Sequence, residues 1–426
     1  MSQSQTARGA LLWHIGIWAL FALVIAVLPY IFTSSSSISM MSQMGVFIIF
    51  ALSYNMLLGE AGMLSFGHAV YFGLGGFFTL HAIRAVNDGV WSFPLELMPL
   101  VGGAGGLAFG IIFGSISTRR AGVTFAMITL GIGSMVESSA NMFTDFFGGE
   151  SGISGNRVTD VTLFGFSYGP SVEVYYLIGA WTVIAAVAMY LLTKTPLGRI
   201  SNAVRDNPER AQFVGYNTTI ARFIQFSLSG FFAGIAGGLF AIMFEIMTAP
   251  NVGLVQSGAV LLMTFIGGVG LFFGPIIGAV LVTYMHTALS GFSEGWILYF
   301  GLMFVFMVMY APGGIAGVIY AHAAPWRAGL LWRLLPSYLL VLLPALLAIA
   351  GLVAVVEMGY QLSLAYDPSS PIDLFYMQIN ATSLWSWLVA LLGLAVGIAG
   401  VLATARVVRA RWAGVNRSMQ ATGAKT

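Results

Sequence analysis

The chain has 426 residues, 58% hydrophobic and only 8% charged, with a mean hydropathy of +0.90. An average soluble domain is about a quarter charged, so a water-soluble fold of this size is excluded, whereas lipid removes the need for a charged surface. The net charge of +2 gives no basis for nucleic-acid binding, and the absence of cysteine excludes disulfides and thiolate metal sites.

A helix needs about 20 apolar residues to cross roughly 30 Å of hydrocarbon. Runs of that kind occur at 11–31, 40–58, 65–83, 95–117, 121–143, 173–193, 221–247, 256–271, 273–290, 295–311, 332–357 and 384–405. The first follows Arg8 and is too long for a signal-peptide core of about 7–15 residues, so an uncleaved helix is expected there. The reading is all-α and polytopic, with about 10–12 transmembrane helices. The segments 65–83 and 256–271 carry many Gly and polar residues and are open to being broken or re-entrant.

Basic residues collect in short cytoplasmic loops. Arg8, the Arg119-Arg120 pair, the group Lys194, Arg199, Arg205, Arg210 and Arg222, then Arg327 and Arg333, and finally Arg406, Arg409, Arg411, Arg417 and Lys425 share one side if both termini are cytoplasmic. Of the 17 basic residues, Arg84 and Arg157 fall on the other face. The long loops expected outside are 144–172 and 358–383.

Glycines recur every four residues in two runs: Gly102, Gly106, Gly110, Gly114 and Gly230, Gly234, Gly238. Residues four apart share a helix face, so each run predicts a smooth groove for a close neighbour. Two glycine-rich turns also look alike, Gly59-Glu-Ala-Gly62-Met-Leu-Ser-Phe-Gly67 and Gly267-Gly-Val-Gly270-Leu-Phe-Phe-Gly274. The likeness is compatible with a duplicated unit. Irregular backbone of this kind is tolerated in a membrane only when buried in protein or lining a watery cavity.

Residues 194–222 read KTPLGRISNAVRDNPERAQFVGYNTTIAR. Pro196 and Pro208 each suit a first helical turn. Asp206 or Asn207 can cap the second helix and Gly215 can end it. Two short helices at the membrane face are expected, with Arg, Gln, Phe and Tyr projecting toward a soluble partner.

Glu209-Arg-Ala211-Gln-Phe-Val-Gly215 resembles the EAA-xxx-G coupling motif of ABC importer permeases, with Arg210 where the first alanine usually stands. The wider segment is similar to the LivM-type subunit of branched-chain amino acid ABC importers. Other stretches agree in order: Ser53-Tyr-Asn55-Met-Leu-Leu-Gly59, Gly62, Ser65-Phe-Gly67-His68, Phe72-Gly73-Leu-Gly75, Gly122 through Leu130, Gly148 through Ile153 (Ser151 stands where Asp is common), Gly267 through Ala279, and Pro312-Gly-Gly-Ile-Ala-Gly317.

The resemblance covers about residues 10–320 and implies a permease core over 1–320. It implies a second, LivH-like permease subunit, two ATP-binding subunits and a periplasmic solute-binding protein, in a bacterial inner membrane. It assigns the ATPase contact to Arg205, Asp206, Glu209, Arg210, Ala211 and Gly215. Residues 321–426 depart from the pattern as an extension with two further predicted spans and a basic cytoplasmic tail.

No G-x-x-x-x-G-K-[ST] occurs, so ATP hydrolysis is expected on separate subunits. No catalytic residue, metal or cofactor is expected in the chain. Polar residues within spans are functional candidates: Asn55, Ser65, His68, Thr129 and Glu137 for a translocation path, with Asn141, Glu245 and His286 nearer helix ends. His68 either fixes the glycine turn by a hydrogen bond or lines the path; Glu137 lines it or sits at the outer interface. An ion-coupled secondary transporter or a channel for small polar solutes is the alternative, although midplane carboxylates are few. Branched-chain or related amino acids are the solutes the resemblance implies.

Overall fold

The computed structural model describes residues 2–291, 293, 295–364, 371–374 and 377–421, with side chains from Ile15 to Gln420. Lys425 and the Arg8 side chain lie outside the described residues. In chain order the helices are α1 (Ser2–Ile31), α2 (Ser35–Asn55), α3 (Ala69–Asn87), α4 (Met98–Ser117), α5 (Val123–Met142), α6 (Thr144–Phe147), α7 (Ser171–Lys194), α8 (Pro196–Asp206), α9 (Pro208–Phe213) and α10 (Thr218–Phe244). They continue with α11 (Leu254–Gly267), α12 (Gly274–Ser290), α13 (Trp296–Tyr310), α14 (Gly314–Arg327), α15 (Leu335–Leu364) and α16 (Leu384–Ala421). Two antiparallel ribbons accompany them. β1 (Ile153–Ser154) pairs with β2 (Ile246–Met247), and β3 (Ile372–Leu374) pairs with β4 (Met377–Ile379).

Among the described residues, eight helical segments are long and apolar enough to cross a membrane, or nine if α13 and α14, bent by 42° at their break, form one span. The end of α1 from Ile15, α11 and α12 are shorter apolar helices. Every apolar run read in the sequence contains a helix, while α14 occupies what reads as a connection. At 1.5 Å per residue, the 14 residues of α11 reach only about 21 Å, short of the roughly 30 Å a crossing needs. The other doubtful segment is also interrupted: residues 62–67 are non-helical, and α3 starts only at Ala69.

The chain packs as two compact units, residues 1–287 with 306–316, and residues 288–305 with 317–426. In the first, α2, α3 and α10 form the interior, each with 78% of its span window buried. The two glycine runs face each other. A Cβ on Gly102 would sit 2.6 Å from the Gly234 carbonyl oxygen, and one on Gly106 would collide with the Gly230 carbonyl oxygen. Contact that close is open only to glycine, so the small faces of α4 and α10 close on each other as the four-residue spacing predicts.

The long loop after α6 holds Arg157 and Arg84, the two basic residues that the sequence reading sets apart from the rest. The Arg157 guanidinium donates to the carbonyls of Tyr168 (2.7 Å), Met243 (3.1 Å) and Gly169 (3.1 Å) and pairs with Glu245 at 3.6 Å. Glu245 also accepts the Arg157 backbone N–H at 2.8 Å. Arg84 Nε donates to the Ser154 carbonyl at 2.6 Å. Both arginines hold the loop and the β1–β2 ribbon, a local structural use of their charge.

In the second unit α15 and α16 form a hairpin, closed where Gly351 meets Leu394 and Gly397 meets Ala348. Its α16 continues 16 residues beyond the apolar run that ends at 405. Near the open end, Trp412 Nε1 donates to Tyr338 Oη at 2.9 Å, and Tyr338 in turn lies 2.6 Å from His322 Nε2.

Candidate functional site

Local sequence dictates the two short helices between α7 and α10. The Thr195 hydroxyl accepts from the Gly198 N–H and Pro196 opens α8; the Asn207 side chain accepts from the Arg210 N–H at 2.9 Å and Pro208 opens α9. Asn207, not Asp206, is the cap. Gly215 follows α9 at φ +95°, beyond the reach of a β-carbon without strain. Val204, Ala211 and Ala221 form a small buried cluster that seats α8 and α9 against α10.

What remains outward is distinctive. Phe213, Val214 and Tyr216 are exposed, Phe213 by 90%, beside exposed Asp206, Glu209 and Arg210. Ala211 is buried in the seat. Arg205 turns the other way: its Nη1 donates to the carbonyl oxygen of Gly59, and its Nε and Nη2 hold Asp206 at 2.9 Å.

Gly59 belongs to a π-helical turn, Met56–Glu60, that ends α2. Such turns release backbone groups that need other partners and gather at functional places. Gln225 Nε2 donates to the Met56 carbonyl at 3.1 Å, Arg205 takes that of Gly59, and the Asn55 side chain accepts from the Gly270 N–H at 3.1 Å. The two look-alike glycine turns thus lie together, with Asn55 bridging them.

Deeper along α2 lies a buried polar group. Ser65, His68 and Thr129 are at most 2% exposed. Thr129 Oγ1 accepts the Phe66 N–H at 3.2 Å and donates to the Ala126 carbonyl at 2.9 Å. Ser53 Oγ lies 2.7 Å from the Phe50 carbonyl oxygen and 3.0 Å from His68 Nε2, so it holds the imidazole through that nitrogen. His68 Nδ1 and Ser65 Oγ then have no hydrogen-bond partner among the described residues. The rings of Phe50, Tyr54 and Tyr71 surround His68. Glu137 is set apart: it is half-buried, and its carboxylate lies against Gly253, the residue that caps the start of α11. No group of three or more His, Asp or Glu suited to a metal occurs among the described residues.

Over residues 36–313 the sequence matches the family described as branched-chain amino acid transport system / permease component. The chain belongs to that family. Its relatives include the high-affinity branched-chain amino acid transport system permease protein LivM of Salmonella typhimurium, 27% identical over 314 residues, covering 69% of this chain and 73% of LivM. The probable branched-chain amino acid transport permease protein LivH of Methanocaldococcus jannaschii is 29% identical over 37% of this chain and 51% of its own. The ribose import permease protein RbsC of Haemophilus influenzae is 24% identical over 65% of this chain and 84% of its own. No solved structure matches. The family match ends at residue 313, so most of the second unit lies outside what the permeases share.

Among the sequence candidates, Asn55 and Arg205 each reach the glycine turns, Ser65, His68 and Thr129 are buried nearby, and Glu137 stays separate. Sequence reading missed Glu60, 8% exposed, and Gln225, 2% exposed. A glutamate beside a glycine turn and a glutamine within a span were the signals available.

Proposed function

We propose that this permease is one membrane-spanning subunit of an ATP-driven importer of branched-chain or related amino acids, meeting an ATP-binding subunit through α8 and α9. The carrying observation is the exposed apolar tip of Phe213, Val214 and Tyr216 ringed by Asp206, Glu209 and Arg210. Large apolar groups held in water beside charges suit the cleft of a partner. The LivM relative supports the solute class. The LivH relative supports a second permease of the same fold as the other half of the path.

In this reading the protein sits in the bacterial inner membrane with both termini and the α8–α9 platform in the cytoplasm, where its basic groups collect. Two ATP-binding subunits hydrolyse ATP, and a periplasmic binding protein delivers the solute. Closure of the ATPases displaces α8 and α9, which biases the bundle between outward-open and inward-open states. Asn55, Ser65, His68 and Thr129 border the path, with Glu137 toward its outer side. Residues 1–320 form the permease core, and 321–426 are an addition to it.

The test is co-purification and uptake. Gly215→Arg places a bulky cation where only glycine is relaxed, and Glu209→Lys reverses the charge at the tip. Both variants insert in the membrane, lose the ATP-binding subunits in pull-down, and lose uptake of radiolabelled leucine. Uptake at the wild-type rate in both variants, or uptake driven by an ion gradient without ATP, overturns the reading.

A further inference from the structure

Arg205 is grouped by its motif with the residues that meet the ATPase, yet its side chain faces the bundle. It retains 34% exposure, against 66% for Asp206. Its stem lies on Gly62, where an added Cβ would stand 2.8 Å from Arg205 Cγ. Its head donates to the Gly59 carbonyl and at the same time holds Asp206 of its own helix. Glu60, 8% exposed, lies between those two glycines on the π-helical turn whose Gly59 carbonyl Arg205 holds.

The contacts continue past this turn. A Cβ on Gly59 would lie 2.8 Å from the Gly270 amide nitrogen, and the Asn55 side chain accepts the Gly270 N–H. Gly268, at φ +126°, packs so closely that a Cβ would collide with the Gly313 carbonyl. Three segments far apart in sequence, 59–62, 268–270 and 312–314, are thus stacked end to end, with Arg205 at the head of the stack. Each is glycine-rich and lacks continuous α-helix, so its backbone can absorb a change in φ and ψ as hinges do.

We propose that Arg205 is the positioning residue that carries movement of the α8–α9 platform into these stacked glycine turns, so that the turns act as one hinge for this end of the bundle. The inference rests on the coupling reading above, and separates transmission (Arg205 with Glu60) from docking (the Phe213 tip). A guanidinium fork suits the role because it holds Asp206 and the Gly59 carbonyl together in fixed geometry; an ammonium is a point charge without that fork.

The experiment uses the full complex in liposomes, with radiolabelled leucine and ATP hydrolysis measured together. Arg205→Ala is expected to keep its ATP-binding subunits and to hydrolyse ATP, while leucine moved per ATP falls about ten-fold, within the range usual for coupling between two sites. Arg205→Lys keeps the stem on Gly62 and the positive charge, so the fold is spared, and it falls about five-fold, the low end of that range. Glu60→Gln uncouples in the same sense. Leucine moved per ATP at the wild-type ratio in Arg205→Lys and Glu60→Gln overturns the proposal, as does loss of the ATP-binding subunits from Arg205→Lys, which would make Arg205 a docking residue. Failure of the docking reading is seen separately, as Glu209→Lys retaining both its ATPase partners and its uptake.

Discussion

The interior helices of the first unit and the hairpin of the second obey opposite rules of composition. In α2, α3 and α10, 78% of the most apolar stretch is buried within the protein, and these helices carry Asn55, Thr79, Gln225, Ser229 and runs of glycine. In α15 and α16 only 11% is buried, and leucine, valine and alanine dominate. Burial against other helices supplies hydrogen-bond partners and so admits polar residues; exposure to lipid supplies none and demands apolar ones. The most apolar helices are therefore the least buried, the reverse of a soluble protein, where apolar residues fill the interior.

The largest way to break that contrast is to widen the glycine seam. Gly234→Leu sets a branched side chain against the Gly102 carbonyl carbon and Gly106 Cα, where even a Cβ would stand at 2.9 and 3.0 Å. Overpacking a tight interior costs about 1–3 kcal/mol, occasionally more, and backbone on the far side has nowhere to move. Loss of folded protein on size-exclusion chromatography is expected. Gly131→Leu in α5 is the control, since a Cβ there meets nothing within 4 Å; normal yield is expected. Equal losses in both would show that glycine acts through the helix backbone and not through the seam.

A second variant sharpens the claim that burial in protein permits charge. Arg157→Ala removes three hydrogen bonds to carbonyls and the partner of Glu245. Breaking a buried pair costs about 3–5 kcal/mol, but the Glu245 side chain is 37% exposed and water can reach it. A loss nearer 2 kcal/mol is expected, in the range of hydrogen bonds to charged groups, about 1.5–3 kcal/mol. It reads as a lowered unfolding midpoint for the solubilised protein, with the loop 144–170 cut earlier by protease.

Arg157 also marks the limit of what sequence carries. Hydropathy located the eight long apolar helices because lipid imposes apolarity on each span separately. Pro196, Pro208 and Asn207 located α8 and α9 because caps and first turns are decided by neighbours within four residues. The glycine spacing announced both grooves. It did not announce that they face each other, because pairing is a property of the assembled bundle. The turn of Arg205 toward Gly59, the π-helical end of α2 and the clasp around Arg157 all join residues far apart in sequence, beyond any local pattern. The apolar run 384–405 covers only part of α16, which continues to Ala421; a helix can leave the lipid without ending, so hydropathy bounds the apolar run and not the helix.

The smallest effect is expected where lipid is the neighbour. The Leu343 side chain on α15 is 76% exposed, so in a membrane it meets acyl chains before and after folding. Leu343→Ala removes apolar surface whose surroundings do not change when helices pack, and it leaves no cavity, because lipid fills the space. Insertion of a leucine at a helix centre favours the membrane by only about 0.3–0.6 kcal/mol, against about 2–5 kcal/mol for the same truncation in a packed interior. The unfolding midpoint is expected to stay within error of wild type, while truncation of Leu52 in α2, which is 1% exposed, lowers it clearly. A large loss at Leu343 would mean that protein, not lipid, covers that face of α15, and the contrast between the two regions would then be one of partner and not of solvent.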